Sequence, residues 1–257
     1  STSRSNDLWV MLLEKAFSKM FGNYHNTHSG WAADAMFALT GAPCKKYKTK
    51  KLIHQSDMIQ LWDFIIASVK NKQPLLCSSK NKNFRYSKSV GIVWHHIYSI
   101  LDAREISTGR DTKEKLIKMR NPWGRFDWKG AWSDSSPLLT PAVKKMLGYV
   151  PDENDGVFWI NLKDYMTYFT NTYSCQLKED FQSSFLKLGE KKLQRYFFVK
   201  MTVFQSGYIY LSANQKVDNH YKKDNPKYKY SVVRLFVCQV DENLNITKFI
   251  DARKQPG

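Results

Sequence analysis

The sequence predicts an α+β fold: a helical opening, a sheet of short antiparallel strands, and a second β-rich stretch at the end. Three observations predict it. Before about Lys70, apolar residues recur at the i, i+3, i+4, i+7 spacing of a helix face. After it, short runs rich in β-branched and aromatic residues alternate with polar turns, as strands do. Hydrophobic residues make up 42% of the 257 and aromatics 14%, enough to pack a core where a disordered chain could not.

The first helix spans Leu8 to Met20, with Trp9, Leu12, Leu13, Ala16, Phe17 and Met20 on the face expected to be buried. Asp7 can cap its start and Gly22 can stop it. A short helix covers Trp31 to Leu39 and ends at Gly41, and a third opens at Ser56 and Asp57. Strands are expected at Pro74–Cys77, Gly91–Ala103, Lys115–Arg120, Val157–Ile160 and Tyr173–Leu177, with a helix at Ala142–Leu147 after Pro141. Residues 178–195 read as a linker. Beyond them, strand patterns at Tyr196–Gln205, Tyr208–Ala213, Tyr230–Val240 and Ile246–Ala252 read as part of a β-sandwich.

Cys44, Cys77, Cys175 and Cys238 lie far apart with no CxxC pair, which suits a reducing compartment and argues against a disulfide scaffold or a zinc site. With no apolar run long enough to cross a bilayer and no leader-like start, the chain reads as cytoplasmic. The formal charge of +17 would attract an anionic membrane, an acidic partner or nucleic acid. Its lysines fall in short runs that read as loops, such as residues 45–51 and Lys222-Lys223, and no nucleic-acid motif accompanies them. A solvated basic surface is therefore expected, with no specific nucleic-acid partner.

Two strings carry chemistry: VWHHIYSILDA, from Val93 to Ala103, and LIKMRNPWGRFDWKGAWSD, from Leu116 to Asp134. A histidine in an apolar strand is by itself a core residue. Asn121, however, follows one strand and precedes the Pro122-Trp123-Gly124 turn, so an Asn at one strand end can meet an imidazole on the other. An amide oxygen accepting from a ring N–H fixes the tautomer and leaves the second ring nitrogen to serve a thiol. His95 and His96 are expected to point to opposite sheet faces, since side chains alternate along a strand, and only one can face the cleft.

HHIYSILDA, LIKMRNPWG, DWKGAWSD and DGVFWI, preceded by LWVMLLEKAFSKMFGNY and LTGAP, together resemble the second protease-core subdomain of the calpain family of cysteine proteases. The resemblance implies a papain-like protease-core half over residues 7–178, and more loosely the start of a calpain β-sandwich domain over 195–257. In register with the family's GHAYSV-like motif, His96 is implied as the catalytic base, Asn121 as its orienter and Trp123 as the shielding indole. Where this chain has His95 the family has Gly. The resemblance also implies a Ca²⁺ site on Asp127, Asp134, Asp155 and a carbonyl near Glu153. The family's DGEFW reads DGVFW here, so Val157 removes one ligand. Each of these acidic residues taken singly also reads as a turn former or helix cap.

The family's nucleophile sits in a QGxxGDCW-like helix start that this sequence lacks, and none of the four cysteines has that context. The expectation is a fragment of a longer calcium-dependent endopeptidase acting on protein substrates. Its cysteine would come from an upstream subdomain of the same polypeptide, so this chain alone is expected to be inactive. The alternative is a non-catalytic homologue acting as a protein- or membrane-interaction module, which the His95 and Val157 departures favour and the retained His96 and Asn121 oppose.

Overall fold

The computed structural model describes residues 8–49, 54–81, 89–109, 112–152, 155–187, 197–207, 209–213 and 233–254, with residues 251–254 described by backbone alone. Contacts divide the chain into two units, Ala32–Lys187 and the combination of Ser1–Trp31 with Leu188–Gly257.

The Ala32–Lys187 unit is built on one six-stranded antiparallel sheet: β1 (Cys44–Lys48), β2 (Leu75–Ser79), β3 (Ile97–Ser107), β4 (Lys113–Arg120), β5 (Val157–Asn161) and β6 (Phe169–Cys175). Their spatial order is β1-β6-β2-β3-β4-β5. Four helices belong to it: α2 (Ala32–Thr40), α3 (Gln55–Lys70), α4 (Pro141–Leu147) and α5 (Leu162–Tyr168). The sheet is covered on both faces, and the strand alternation divides its side chains accordingly. On one face Leu61 and Ile65 of α3 and Tyr165 and Met166 of α5 pack on Cys77, Tyr98, Met119, Phe158 and Phe169. On the other, Val143 and Leu147 of α4 pack with Trp132 and Tyr149 on Leu116 and Trp159. At the β1–β6 end of that second face, Ala32 and Met36 of α2 cover Tyr173 and Cys175.

Burial holds this sheet together more than charge does. A fully buried Leu61 or Phe158 contributes about 2–3 kcal/mol. The Arg104–Asp102 pair at 2.8 Å is 44% and 26% exposed and is worth below about 1 kcal/mol.

Local chemistry explains the boundaries. The Thr140 hydroxyl accepts from Val143 N–H at 3.3 Å to open α4, and Gly148 closes it at φ +58°. Gly41, at φ +71°, ends α2 by donating to Phe37 O at 2.7 Å. Two elements lie outside the sequence expectation. The lysine run expected to be a loop contains β1, an edge strand whose Lys45, Lys46 and Lys48 are exposed. Charged residues on an edge discourage pairing with another chain, so a lysine-rich strand belongs there. Helix α5 is too short for periodicity to reveal, but Asn161 Oδ1 caps it by accepting from Asp164 N–H at 2.7 Å. Lys222-Lys223 lies outside the described residues.

The other unit contains α1 (Trp9–Met20) and an antiparallel pair, β7 (Arg234–Val240) and β8 (Ile246–Lys254). Helix α1 forms where expected and Gly22 follows it at φ +94°. Its apolar face is not buried: Trp9 and Leu12 are 64% exposed and only Ser18 is buried. The spacing of apolar residues specifies a face, not what covers it. Asp7 lies outside the described residues. Residues 197–207 and 209–213 carry no strand, and Phe198 and Phe204 are exposed. Of the four strand patterns expected there, the described residues form the last two.

Among the described residues no helix is long and apolar enough to cross a membrane.

Candidate active site

Strands β3 and β4 are neighbours, with Ser99 opposite Arg120. The residue just before the start of β3 and the residue just after the end of β4 are therefore brought side by side. These are His96 and Asn121.

Asn121 is completely buried, and its amide is held on three sides. Its Nδ2 donates to Arg125 O at 2.7 Å, and its Oδ1 accepts from Trp123 N–H at 3.1 Å. These contacts fix which end of the amide is oxygen, and that oxygen lies 2.9 Å from His96 Nε2. The imidazole must therefore donate from Nε2. The Asn121 backbone is pinned as well, its N–H donating to Gly156 O at 2.8 Å and its carbonyl accepting from Gly124 N–H at 2.9 Å.

The Trp123 indole lies against the imidazole with centroids 4.4 Å apart and planes tilted by 43°. Trp123 is 39% exposed, so it screens one side of the ring from solvent while lying at the surface itself. Tyr98 meets the same imidazole edge-on at 5.3 Å.

The sequence expectation of His95 and His96 within a strand is corrected here, because β3 begins at Ile97 and both precede it. His95 is exposed, at φ +55°, in a bend where its N–H donates to Lys80 O at 3.2 Å. A left-handed residue is needed at this bend. Histidine is among the side chains that tolerate that conformation better than most. With histidine in this conformation, the contact of His96 with Asn121 is in place.

Three residues that the sequence did not single out build the site. Ser79, at the end of β2, has a buried hydroxyl that accepts from His96 N–H at 3.0 Å and donates to Val93 O at 2.8 Å. Gly156, at φ +86°, packs so closely under the Asn121 loop that a Cβ would meet Asn121 O at 2.8 Å. Gly91, at φ +81°, lies closer still to Asp127, where a Cβ would fall 1.9 Å from the carbonyl oxygen. The one sequence signal available was DG followed by a strand, which marks a turn but not what the turn packs against.

Cys77 lies in β2 facing the core, completely buried, and burial pushes its thiol far up from the usual range. Such a thiol is not a nucleophile.

The acidic residues gather around the β5 entry. Asp127 Oδ1 accepts from Gly156 N–H at 2.8 Å, and Asp155 Oδ1 from Val157 N–H at 2.6 Å. Asp134 Oδ1 accepts from the Tyr149 hydroxyl at 2.7 Å. Burial pushes the Asp134 carboxyl up to about 6, with Asp127 and Asp155 raising it further against the lowering effect of the Tyr149 hydroxyl and Lys144. Its Oδ2 is buried without a hydrogen-bond partner. The crowding and the unpartnered oxygen suit a cation. Against that, among the described residues no group of three or more His, Cys, Asp or Glu is placed to hold a metal ion, and Glu153 lies outside them.

This carboxyl has a consequence for stability. An acid whose folded value is about 6 and whose unfolded value is near about 3.9 binds more protons when folded between those limits, so stability falls as pH rises through them. The full shift would amount to about 3 kcal/mol, and partial exposure reduces it to about 1 kcal/mol. Asp134→Asn should remove that loss. The check is urea unfolding in chelator at pH 4 and pH 7, and an unchanged difference between the two pH values would contradict it.

The family of cysteine proteases described as calpains matches this chain over residues 1–176. The chain belongs to the calpain family. It is 36% identical over 181 residues to "Calpain-type cysteine protease DEK1" of Zea mays, covering 69% of this chain and 8% of that protein. It is 34% identical over 180 residues to human "Calpain-14", covering 69% of this chain and 25% of that protein. With the rat "Calpain-1 catalytic subunit" the identity is 31% over 185 residues, covering 70% and 25% respectively. The chain thus spans a quarter or less of the length of these curated relatives.

Proposed function

We propose that this calpain-family chain supplies the base and orienter of a cysteine endopeptidase whose nucleophile lies in an upstream subdomain of the same polypeptide. The observation that carries the reading is the 2.9 Å contact of His96 Nε2 with an Asn121 amide whose orientation is fixed on both sides. With Nε2 committed to Asn121, Nδ1 is the nitrogen that accepts the thiol proton and later gives one to the departing amine. Trp123 keeps water from the Nε2–Oδ1 bond. The substrate class is protein, hydrolysed at the peptide bond through an acyl-thiol intermediate on the upstream cysteine.

In this reading residues 7–178 form the His/Asn half of the protease core and residues 195–257 begin a β-sandwich domain. Calcium belongs to it through Asp127, Asp134, Asp155 and a carbonyl near Glu153, where it would relieve the crowding of the carboxylates. The setting is cytoplasmic, in keeping with four free cysteines. The +17 charge supports an acidic protein or an anionic membrane as a further partner. His95, one of the departures favouring a non-catalytic homologue, is accommodated outside β3 without disturbing His96.

The test is the full-length polypeptide on a denatured protein substrate. Cleavage that stops when the upstream cysteine is alkylated is expected, and the 257-residue chain alone should leave the substrate intact. A Ser or Gly at the upstream position would overturn the active-protease reading.

A further inference from the structure

Cys44 of β1 and Cys175 of β6 face each other as direct partners in the antiparallel register. The rungs on this pair of strands alternate between hydrogen-bonded and non-hydrogen-bonded. Gln176 N–H donates to Pro43 O at 2.9 Å and, at the far end, Thr49 N–H to Thr170 O at 2.7 Å. Counting inward from either bond places Cys44 and Cys175 on a non-hydrogen-bonded rung. Consistently, Cys175 N–H turns away from β1 and donates to Pro74 O at 2.9 Å. Cα atoms on such a rung lie about 4.5 Å apart, with side chains on the same face, inside the span a disulfide bridges.

The two thiols also differ in access. Cys175 is completely buried and Cys44 partly exposed. Cys77 cannot compete, since it packs on the opposite face of the sheet.

We propose that Cys44 and Cys175 form a cross-strand dithiol site that is modified to a disulfide by a low-molecular-weight disulfide such as oxidised glutathione. Cys44, the reachable thiol, attacks as thiolate. One glutathione leaves as thiolate and a Cys44–glutathione mixed disulfide remains. Cys175 then loses its proton and attacks the Cys44 sulfur, and the second glutathione leaves. Two protein thiols and one small disulfide become one protein disulfide and two small thiols. Burial first, then the neighbouring Cys175, pushes the Cys44 thiol up to about 12. The first step is therefore slow at neutral pH and speeds up with alkali. Because nothing stabilises the Cys44 thiolate, the disulfide, once formed, resists a glutathione pool.

The bond would tie the edge strand to the sheet and close a loop containing His96, Asn121 and Trp123. The inference stands independently of the catalytic reading.

The test is incubation of the folded chain with oxidised glutathione at pH 7, 8 and 9, followed by non-reducing peptide mapping. A Cys44–Cys175 cross-link lacking two hydrogens is expected. Its rate should rise about tenfold per pH unit, because the thiolate fraction does, and it should raise Tm. Cys175→Ser or Cys175→Ala should instead trap a lasting glutathione adduct on Cys44, and Cys44→Ser should give neither product; circular dichroism checks that each variant is folded. A persistent glutathione adduct on Cys44 of the unsubstituted chain, with Cys175 unreacted, would overturn the proposal. So would the absence of both adduct and cross-link at pH 9.

Discussion

His96→Ala in the full-length polypeptide is expected to lower kcat/KM on a denatured protein by at least about a thousandfold. On the proposed reading the substitution removes the group that would take the thiol proton and the imidazolium that would hold a thiolate nearby. It leaves Asn121 with its bonds from Trp123 N–H and to Arg125 O, so the fold around the site should persist. Asn121→Ala should cost less, about ten- to a hundredfold, since the imidazole survives without its orienter but can rotate or change tautomer. The alkylation rate of the upstream cysteine by iodoacetamide near pH 6 is a second readout. It should drop in His96→Ala, because a thiolate without an imidazolium partner is scarce there. Activity within about tenfold of the unsubstituted protein would rule out His96 as the base.

Gly156→Ala is expected to be strongly damaging, because it acts on the loop that carries Asn121. At φ +86° a side chain costs about 1–2 kcal/mol in backbone conformation alone. The new Cβ would also lie 2.8 Å from Asn121 O and 3.0 Å from both Arg125 N and Gly124 Cα. All three contacts are backbone atoms, which cannot move aside as a flexible side chain would, adding about 1–3 kcal/mol. Gly148→Ala provides the contrast. Its φ of +58° carries the conformational cost, but nothing lies within 4 Å of the new Cβ. Urea unfolding should therefore separate the two, with Gly156→Ala losing roughly 3 kcal/mol and Gly148→Ala about 1 kcal/mol. Equal losses would mean that the close approach to the Asn121 loop carries no energy.

The sequence made the strands of the central sheet legible because buried strands concentrate β-branched and aromatic residues, and it made His96 and Asn121 legible through the motifs around them. It concealed β1, because an edge strand facing solvent carries lysines and so reads as a loop. It misplaced His95, because strand alternation was extended one turn too far, into a bend with a left-handed residue. Helix α1 was found by its periodicity, yet its exposed Trp9 and Leu12 lay beyond what periodicity reports. Ser79 was silent for a different reason. A serine at a strand end is unremarkable until the chain returns some fifteen residues later to place Val93 and His96 against it. Long-range partners of this kind have no signature in spacing.

If His96 serves as the proposed base, that serine bears on every turnover. A histidine carried on a loose loop must find its orientation each time a substrate binds, and the lost freedom is subtracted from the rate on every cycle. Here the Ser79 hydroxyl grips the segment from both sides, accepting from the His96 amide and donating to the carbonyl three residues before it. The entropy of holding the imidazole is given up once, when the chain folds. In the proposed enzyme, an upstream thiol would then have only its own position to find.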